Sequence, residues 1–515
     1  MNWKLDTIGQ DRVIRLLAVA AALVFCVHVF SDNKADVDLW GNAGFVKAPA
    51  WDPAFRHTNS FSFTEPAHAW VNHEWLAEYI LHVTHERFGN PGLLAFKIFM
   101  GFCLVLVLYT AIKSECSSPP IRFLFLLLVV STMGYGFSTR PHHFTYFFYA
   151  LFLLLLKKWP QSRVFCLFLV PIIGVLWANL HGAFFIGALL LAVYMILEIT
   201  KSSHVNDTVP RHIPELAAVL GMFVLASLIN PYGIRLWSFI FESFTMFRPY
   251  LSEWAPFNRL EQVLIHPDFI ALAVLSFVGI CFSRKPQDIT WAGILAVAFV
   301  GAIVLRRNIP LFAITASFVV PRYLDDIAAK PVNALLTSLS RRVIIVFLCA
   351  FILVTSVAAF FFNKVNPFEM EVRQDRFPGG VVHFMKENRL SGNALVFFDW
   401  AEYSIWQLYP DCTQFLDGRF SDAYSKATIE DYFNFLYCGK NWDNALKNYP
   451  TDIVLIHRGN PVYRKMTSRD DWVLVCQNNI AALFLKKDVH ADFIAKLVSG
   501  QLRAPRTPPI AFFPE

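Results

Sequence analysis

Asp36 and Asp38 stand two residues apart in a polar stretch, Asp32 to Glu78, that also carries His73 and Glu74. In an extended segment both aspartates face one way, whereas on a helix they diverge, so joint action requires a strand or a turn. A carboxylate held there can act as a general base toward a hydroxyl. The competing role is structural: Asp38 caps a short helix beginning at Leu39, where its hydrogen bonding and its charge both suit the site. Asn72-His73-Glu74 opens a helical pattern, with Asn72 as N-cap and Glu74 in the first turn. In a functional reading Glu74 is a further carboxylate that orients an acceptor, and His73 is a ligand for a phosphate or hydroxyl. Paired carboxylates also suit a hard divalent cation, so Asp36, Asp38 and Glu74 are the residues that would hold one, although no spacing in the sequence demands a metal.

The basic candidates lie elsewhere. Arg140, His142 and His143 sit in Ser138 to Phe144 (STRPHHF), and Arg306 and Arg307 in Leu305 to Pro310 (LRRNIP). Guanidinium groups bind phosphate through two parallel hydrogen bonds, which makes Arg140, His142, Arg306 and Arg307 candidates for a phosphate or diphosphate. Against this stands snorkelling, in which arginines at the ends of spans merely reach the headgroups. Trp40, Asn179 and His181 are candidates for lining a polar cavity, with an interfacial belt as the alternative for the residues that end a span. Asn230-Pro231-Tyr232-Gly233 has the residue placement of a type I turn.

These residues need elements to hold them. Of 515 residues, 56% are hydrophobic and 16% charged, and 51 are Phe; mean hydropathy is +0.44. Soluble domains stay near 45 to 50% apolar, so the composition excludes that class and points to a polytopic membrane protein. Eleven apolar runs, at about 13–31, 91–112, 121–138, 144–157, 164–179, 183–200, 213–230, 268–283, 288–305, 309–322 and 343–362, approach the ~20 residues that cross a bilayer. The first is read as a retained span rather than a signal peptide, because it is long and lacks a small-residue cleavage site. Residues 73–88 are apolar at helical spacing but interrupted by His82, His85 and Glu86, which fits a helix lying along the interface.

With a cytoplasmic N-terminus, every inside connection is basic: Lys113 and Arg122; Lys157, Lys158 and Arg163; Lys201 and Arg211; Arg284 and Lys285; Arg322, Lys330, Arg341 and Arg342. The net charge of +6 is thereby spent on orientation, and no nucleic-acid partner is expected. The candidate residues then gather on the outside, together with the chain beyond Asn363. That region, 363–515, turns globular: a helix over 377–390, buried strands at 394–398, TQFLD, DIVLIH, WVLVC and AALFL, and helices at 424–437 and 441–448 imply a small α/β domain. Its Cys412, Cys438 and Cys476 leave one thiol over if a disulfide forms. The tail from Leu502 reads as extended. The expected organisation is thus residues 1–362 as a membrane domain with a first external loop over 32–90, and 363–515 as an extracytoplasmic α/β domain.

Taken in order, D-x-D-L-W, N-S-F-S-F-T, W-V-N-H-E-W-L, R-P, W-A-N-L-H-G, N-P-Y-G and R-x-N-I-P-L-F-A resemble bacterial membrane proteins related to the GT-C superfamily of glycosyltransferases, which includes the protein O-mannosyltransferases and the lipid A aminoarabinose transferases. DWAEYSIW (399–406) and FLDGR (415–419) resemble the soluble domain of that group, so the likeness spans the chain. The resemblance implies a polyprenyl-phosphate sugar donor, an acceptor that is a glycan, lipid or protein, residence in the bacterial inner membrane, and a catalytic carboxylate in the first external loop, a role that falls to Asp36 or Asp38. The chain departs from the group at Gly41-Asn42, where D-L-W-W-H is usual, and at His142, where Gln commonly follows Arg-Pro. Two other classes compete: a transporter or flippase for a lipid-linked or anionic substrate, which would show internal repeats and more mid-span charge than Lys97 and Glu198, and a catalytically silent scaffold acting through the α/β domain.

Overall fold

The structure is a computed structural model in which residues 11–46, 59–159, 161, 163–203, 212–245, 251–257, 264–361, 364–503 and 510–515 are described. Arg211 and residues 504–509 of the tail lie outside them. The chain forms two compact units, one of Met1–Asp32, Leu94–Ile234 and Phe247–Pro367, the other of Asn33–Leu93, Arg235–Met246 and Phe368–Glu515.

The first unit is helical throughout. Each of the apolar runs falls on a helix: Arg12–Phe30, the C-terminal part of Trp75–Glu115, Pro119–Gly134, His142–Lys158, Arg163–Leu180, Phe185–Ser203, Ile213–Ser227, Pro267–Phe282, Ile289–Val304, Ile309–Val319 and Arg341–Phe360. Five helices among the described residues are long and apolar enough to cross a membrane, and four shorter apolar ones accompany them. The outer faces stay apolar, with Leu106, Phe168, Phe277 and Val346 among many large side chains left exposed, as a bilayer solvent permits. Contact between helices depends on small residues: Ala21 is fully buried where Arg12–Phe30 meets Ile344 and Leu348 of the last span, and a Cβ on Gly174 would lie 3.1 Å from the Phe223 carbonyl oxygen.

Loops expected to share a face do meet. On one face the helix Pro321–Ser338 joins two of them: Asp325 accepts from the Ser118 amide at 3.0 Å and Asp326 from the Arg284 amide at 2.7 Å. This helix was not read from the sequence, because its four charges in ten residues broke the apolar pattern that marked the spans. Among the loops expected on the other face, Asn179 Nδ2 donates to the Ile229 carbonyl at 2.8 Å, just before the Asn230–Gly233 turn. That turn forms as its residues dictate: the Tyr232 amide donates to Asn230 Oδ1 at 2.7 Å, and Gly233 takes φ +55°.

The second unit is built on a five-stranded mixed sheet. With β1 Glu371–Val372, β2 Gly392–Val396, β3 Cys412–Gln414, β4 Ile453–His457, β5 Trp472–Gln477, β6 Ala481–Lys486 and β7 Ala511–Phe512, the order is β3-β2-β4-β6-β5. β2 runs parallel to β3 and β4, while β6 is antiparallel to β4 and β5. The five expected strands all occur. The tail is extended where it is described, and β7 pairs antiparallel with β1, with Phe512 opposite Glu371. Cys412, Cys438 and Cys476 are free thiols.

The first polar stretch belongs to this unit, and its aromatic residues complete the unit's core. Phe45, Phe61 and Trp70 pack in one cluster with Leu395, Phe415 and Tyr432. The interfacial helix expected over 73–88 is the N-terminal part of Trp75–Glu115, which runs on into the next span through a break at Gly89, where φ 61° and ψ −157° depart from helix. Glycine reaches that conformation without a Cβ clash, and Pro91 follows it.

Candidate functional site

In the second unit Asp36 and Asp38 precede the short helix Leu39–Gly44. Asp36 Oδ1 accepts from the Asp38 amide at 3.1 Å, and its carbonyl accepts from the Leu39 amide at 3.1 Å, so Asp36 builds the turn that starts the helix. Asp38 sits at the N-cap position but makes no side-chain capping bond. Capping therefore does not account for its carboxylate, and both aspartates remain half-buried rather than sealed.

Gly41 lies against a buried carboxylate. Its amide donates to Glu402 Oε2 at 3.1 Å, and a Cβ there would stand 2.2 Å from that oxygen. Gly418 meets the other oxygen of the same carboxylate, since its Cβ would lie 2.2 Å from Oε1. Three motifs noted in sequence, D-L-W, DWAEY and FLDGR, thus converge on buried Glu402, and neither glycine position has room for a side chain. Trp40 beside them is fully buried. Its ring lies 4.6 Å from Phe377 and 5.1 Å from Tyr403, and its indole N–H donates to the Pro514 carbonyl at 3.3 Å. The expectation that Trp40 lines a cavity is corrected: its ring is consumed by the core.

The FLDGR turn is held by a buried ion pair. Arg419 donates to Asp417 through Nε at 2.9 Å and through Nη2 at 2.6 Å, while Tyr424 donates to the same carboxylate at 2.6 Å. Arg419 Nη2 also donates to Asn59 Oδ1 at 2.6 Å, and Asn59 Nδ2 donates to the Ala423 carbonyl at 2.8 Å. The guanidinium is enclosed by the rings of Trp70 at 4.7 Å, Phe45 at 4.9 Å and Phe61 at 5.1 Å. Burial disfavours its charge, but Asp417 overcomes this and raises its pKa further above the usual arginine range.

This turn delivers Asp422. The Asp422 amide donates to the Arg419 carbonyl at 2.8 Å, and its Oδ2 lies 3.3 Å from His73 Nδ1. On the other side of the imidazole, Nε2 is 3.4 Å from Glu74 Oε1, and Phe239 stacks on the ring at 5.3 Å. Asn72 organises the carboxylates, accepting from the Glu74 amide at 3.0 Å and donating to Glu78 Oε2 at 2.6 Å. The expected N-cap is corrected: the helix starts at Trp75, with the Glu78 amide donating to the Glu74 carbonyl at 3.0 Å, so the Asn72 bond to the Glu74 amide builds the turn ahead of the helix, beside a cluster of titratable groups. Burial would lower the His73 pKa, but Asp422 and then Glu74 raise it to about 9. Glu78, on the helical turn before the span, is raised to about 8 by burial, with Glu74 adding to the effect against the Asn72 hydrogen bond. At neutral pH the cluster therefore holds an imidazolium and a protonated Glu78 beside Glu74 and Asp422. No group of three or more His, Cys, Asp or Glu able to hold a metal ion occurs among the described residues, so Asp36, Asp38 and Glu74 do not form one.

The basic candidates lie in the first unit. Arg140 Nη1 bonds Glu253 Oε1 at 3.0 Å, with the arginine side chain 11% and the glutamate 39% exposed. Two residues share the work next to it: the Arg307 guanidinium lies 4.5 Å from the Trp254 ring, and the Arg306 amide donates to the Ala255 carbonyl at 3.3 Å. Hairpins more than 160 residues apart are thus brought to one short segment, 251–257. His142 sits 5.4 Å from His181, ring to ring. His181 Nδ1 accepts from the Ala183 amide at 3.2 Å and lies 2.8 Å from Thr145 Oγ1, which accepts from the Trp177 indole at 2.8 Å. Acceptance at Nδ1 puts the proton of the neutral ring on Nε2. Asn179 spends its amide on the Val175 and Ile229 carbonyls and holds the helix end in place.

Sequence reasoning missed Glu402, Asp422, Glu253 and Trp254. Glu402 and the Asp417–Arg419 pair lay inside quoted motifs whose residues had been given no roles. Asp422 and Glu253 lay in stretches without a pattern, and only the fold brings them to His73 and Arg140.

Comparison with protein-family profiles finds no match, and comparison with curated proteins finds none. Among solved structures, the chain is similar to the crystal structure of ArnT from Cupriavidus metallidurans bound to undecaprenyl phosphate, with 11% identity, a TM-score of 0.48, and coverage of 93% of this chain and 98% of that one.

Proposed function

We propose that the protein is an inverting GT-C-type glycosyltransferase that moves a sugar from a polyprenyl-phosphate donor to a hydroxyl acceptor, a glycan, lipid or protein, on the outer face of the bacterial cytoplasmic membrane. Asp38 or Asp36 takes the proton of the acceptor hydroxyl, the acceptor oxygen bonds to the anomeric carbon, and the bond from that carbon to the phosphate oxygen breaks. The departing phosphate gains negative charge, which Arg140, Arg306 and Arg307 offset with His142 beside them. Glu74 and His73 orient the acceptor. The reading takes residues 1–362 as the membrane domain, with eleven crossings, a cytoplasmic N-terminus and a first external loop over 32–90, and residues 363–515 as the extracytoplasmic α/β domain.

The observation that carries this reading is the meeting of the Arg140 and Arg307 side chains, and of the Arg306 main chain, with residues 251–257. Glu253 is the more exposed partner of Arg140 and exchanges with an incoming phosphate. Binding of a polyprenyl-phosphate lipid to the purified protein tests it. Arg140→Ala and Arg306→Ala should each weaken binding by about 1.5 to 3 kcal/mol, the range for hydrogen bonds to charged groups. Lysine at either position should restore only part, since an ammonium lacks the planar fork. Glu253→Gln should tighten binding by up to about 1 kcal/mol, the scale of a partly exposed ion pair. Equal affinity across the set would remove the phosphate site and put the transporter or scaffold reading ahead.

A further inference from the structure

The sheet of the second unit has a place where its connections change direction. From β2 the chain moves to β3 on one side, then returns past β2 to β4 on the other, giving the order β3-β2-β4 with the three strands parallel. In open sheets of this kind, ligands bind beyond the carboxyl ends of the strands at which the order reverses. Those ends are residues 397–400 after β2 and 457–460 after β4, and no role so far has used them.

The two ends part at this level. The Phe397 amide still donates to the Leu455 carbonyl at 2.8 Å; beyond it the Arg458 amide turns to the Ile480 carbonyl at 2.7 Å, while the Trp400 amide closes a turn on the Phe397 carbonyl at 2.8 Å. Val396 lies opposite Leu455, and the same register carried on by two residues brings Phe398 level with His457. His457 bridges the parting, its ring 5.7 Å from that of Phe397 and 5.7 Å from that of Trp400. Trp400 is fixed by its indole N–H, which donates to the Arg376 carbonyl at 2.6 Å.

The polar groups here have defined roles. His457 Nδ1 accepts from the Gly459 amide at 2.9 Å, which puts the proton of the neutral ring on Nε2 and makes that atom a donor. A Cβ on Gly459 would stand 2.9 Å from Nδ1, so glycine is what lets the main chain come this close. Burial lowers the His457 pKa against the opposing charge of Asp399, and the ring is neutral at pH 7. Asp399 is exposed and adds a carboxylate acceptor. Asn460 Oδ1 is buried with no partner among the described residues, and a buried acceptor of that kind calls for a donor.

This set selects among ligands. The exit from β2 reads Phe397-Phe398-Asp399-Trp400, without the glycine-rich turn that cradles phosphates, and a carboxylate with a neutral imidazole disfavours an anion. A carboxylate, a fixed N–H and an unpaired amide oxygen, with Phe397 and Phe398 half-buried among them, suit a neutral ring that carries hydroxyls on its edge and C–H groups on its face.

We infer that the parting of β2 and β4 is a binding site for a neutral hexopyranose, free or as one unit of a glycan. Asp399 and Asn460 Oδ1 accept from its hydroxyls, His457 Nε2–H donates to one, and Phe397 and Phe398 lie against its C–H face. The site belongs wholly to the second unit and stands without the glycosyl-transfer reading.

The test uses the full-length protein in nanodiscs. Glucose, galactose, mannose and N-acetylglucosamine are probed by saturation-transfer difference NMR, both as free sugars, which stand for a soluble ligand, and as methyl pyranosides, which stand for a unit linked in a glycan. The expected result is transfer to the ring protons of at least one probe, with affinity weakened about tenfold or more in Asp399→Asn and in His457→Gln. In the wild-type protein a saturating amount of that sugar should slow carbethoxylation of His457, read by mass spectrometry, and spare His383, whose side chain is 44% exposed. This second readout needs no variant to fold. Inorganic phosphate should give His457 no protection. No transfer to any probe, unchanged affinity in either variant, a His457 as reactive with the sugar as without it, or protection by phosphate would each overturn the inference. Neither measurement uses a lipid-linked donor or turnover, so failure of the transferase reading leaves both unchanged.

Discussion

Single residues carry the chemistry, and two of them carry a pH dependence with a definite sign. The folded-state pKa values of Glu78 and His73 are both raised, to about 8 and about 9, from ordinary values of 4.5 and 6.5. In each case the folded state holds a proton that the unfolded chain has released, so stability falls as pH rises. The Glu78 contribution is fully present below pH 4.5 and lost through pH 8; that of His73 is present below 6.5 and lost through 9, trimmed by water, since its side chain is 23% exposed. Glu78→Gln keeps an acceptor for Asn72 but cannot ionise. Its melting temperature, measured from pH 5 to 9, should rise relative to wild type as pH increases, with the gap complete near pH 8 and only the His73 decline left; a constant gap would contradict a neutral Glu78. The aspartates are distinguished by kinetics instead. Removing the general base through Asp38→Asn or Asp36→Asn should lower turnover by about 10²- to 10⁴-fold with donor binding retained. Full turnover in both variants would remove the pair from the mechanism.

At the scale of elements, the spans and strands were legible because hydrophobic period and length mark them directly. The sheet strands at 453–457 and 481–486, continuous apolar runs, fell where the sequence put them. Less legible was the helix Pro321–Ser338, whose buried positions are confined to Pro321, Tyr323 and Leu324 at its start. Its carboxylates serve to bind neighbouring loops, a use that leaves no periodic trace. The candidate site was half legible: types such as Asp, His and Arg were visible, but their partners Asp422, Glu402 and Glu253 come from distant segments and obey no spacing. Gly41 lies against the Glu402 carboxylate, and it makes a prediction about the short helix Leu39–Gly44. Gly41→Ala puts a methyl 2.2 Å from the buried Glu402 carboxylate, which must shift and loosen its bond from the Gly41 amide. Overpacking of this kind costs about 1 to 3 kcal/mol. Gly221→Ala, where nothing lies within 4 Å, is the control, and equal melting of the two variants would show that Glu402 yields freely.

For the whole molecule the governing constraint is the bilayer, which obliges loops of unlike charge to separate onto opposite faces. Contacts already sort them. Asp325 and Asp326 gather 116–118 and 283–285 around the helix Pro321–Ser338, while Arg140, Glu253, Trp254 and Arg307 gather at 251–257. The first set adjoins Lys113, Arg122, Arg284 and Lys285, the second carries the phosphate candidates. A lipid-phosphate donor presented outside requires the second set to face outward, and the positive-inside rule requires the first to face the cytoplasm. In intact cells a cysteine at Asn230→Cys, in a loop expected on the same face as the second set, should therefore react with a membrane-impermeant maleimide, and Ser283→Cys, beside the first, should react only after permeabilisation. Ser283 donates to Asp326 at 2.9 Å, so Gln287→Cys is a second reporter for the same face, its side chain exposed. The experiment needs a background without exposed native thiols, which means replacing Cys281 and Cys349. Labelling at Ser283 and Gln287 from outside, with Asn230 protected, would invert the protein. The arginines would then face the cytoplasm, where the positive-inside rule explains them without a phosphate, and the case for an outward lipid-phosphate site would be lost along with its direction.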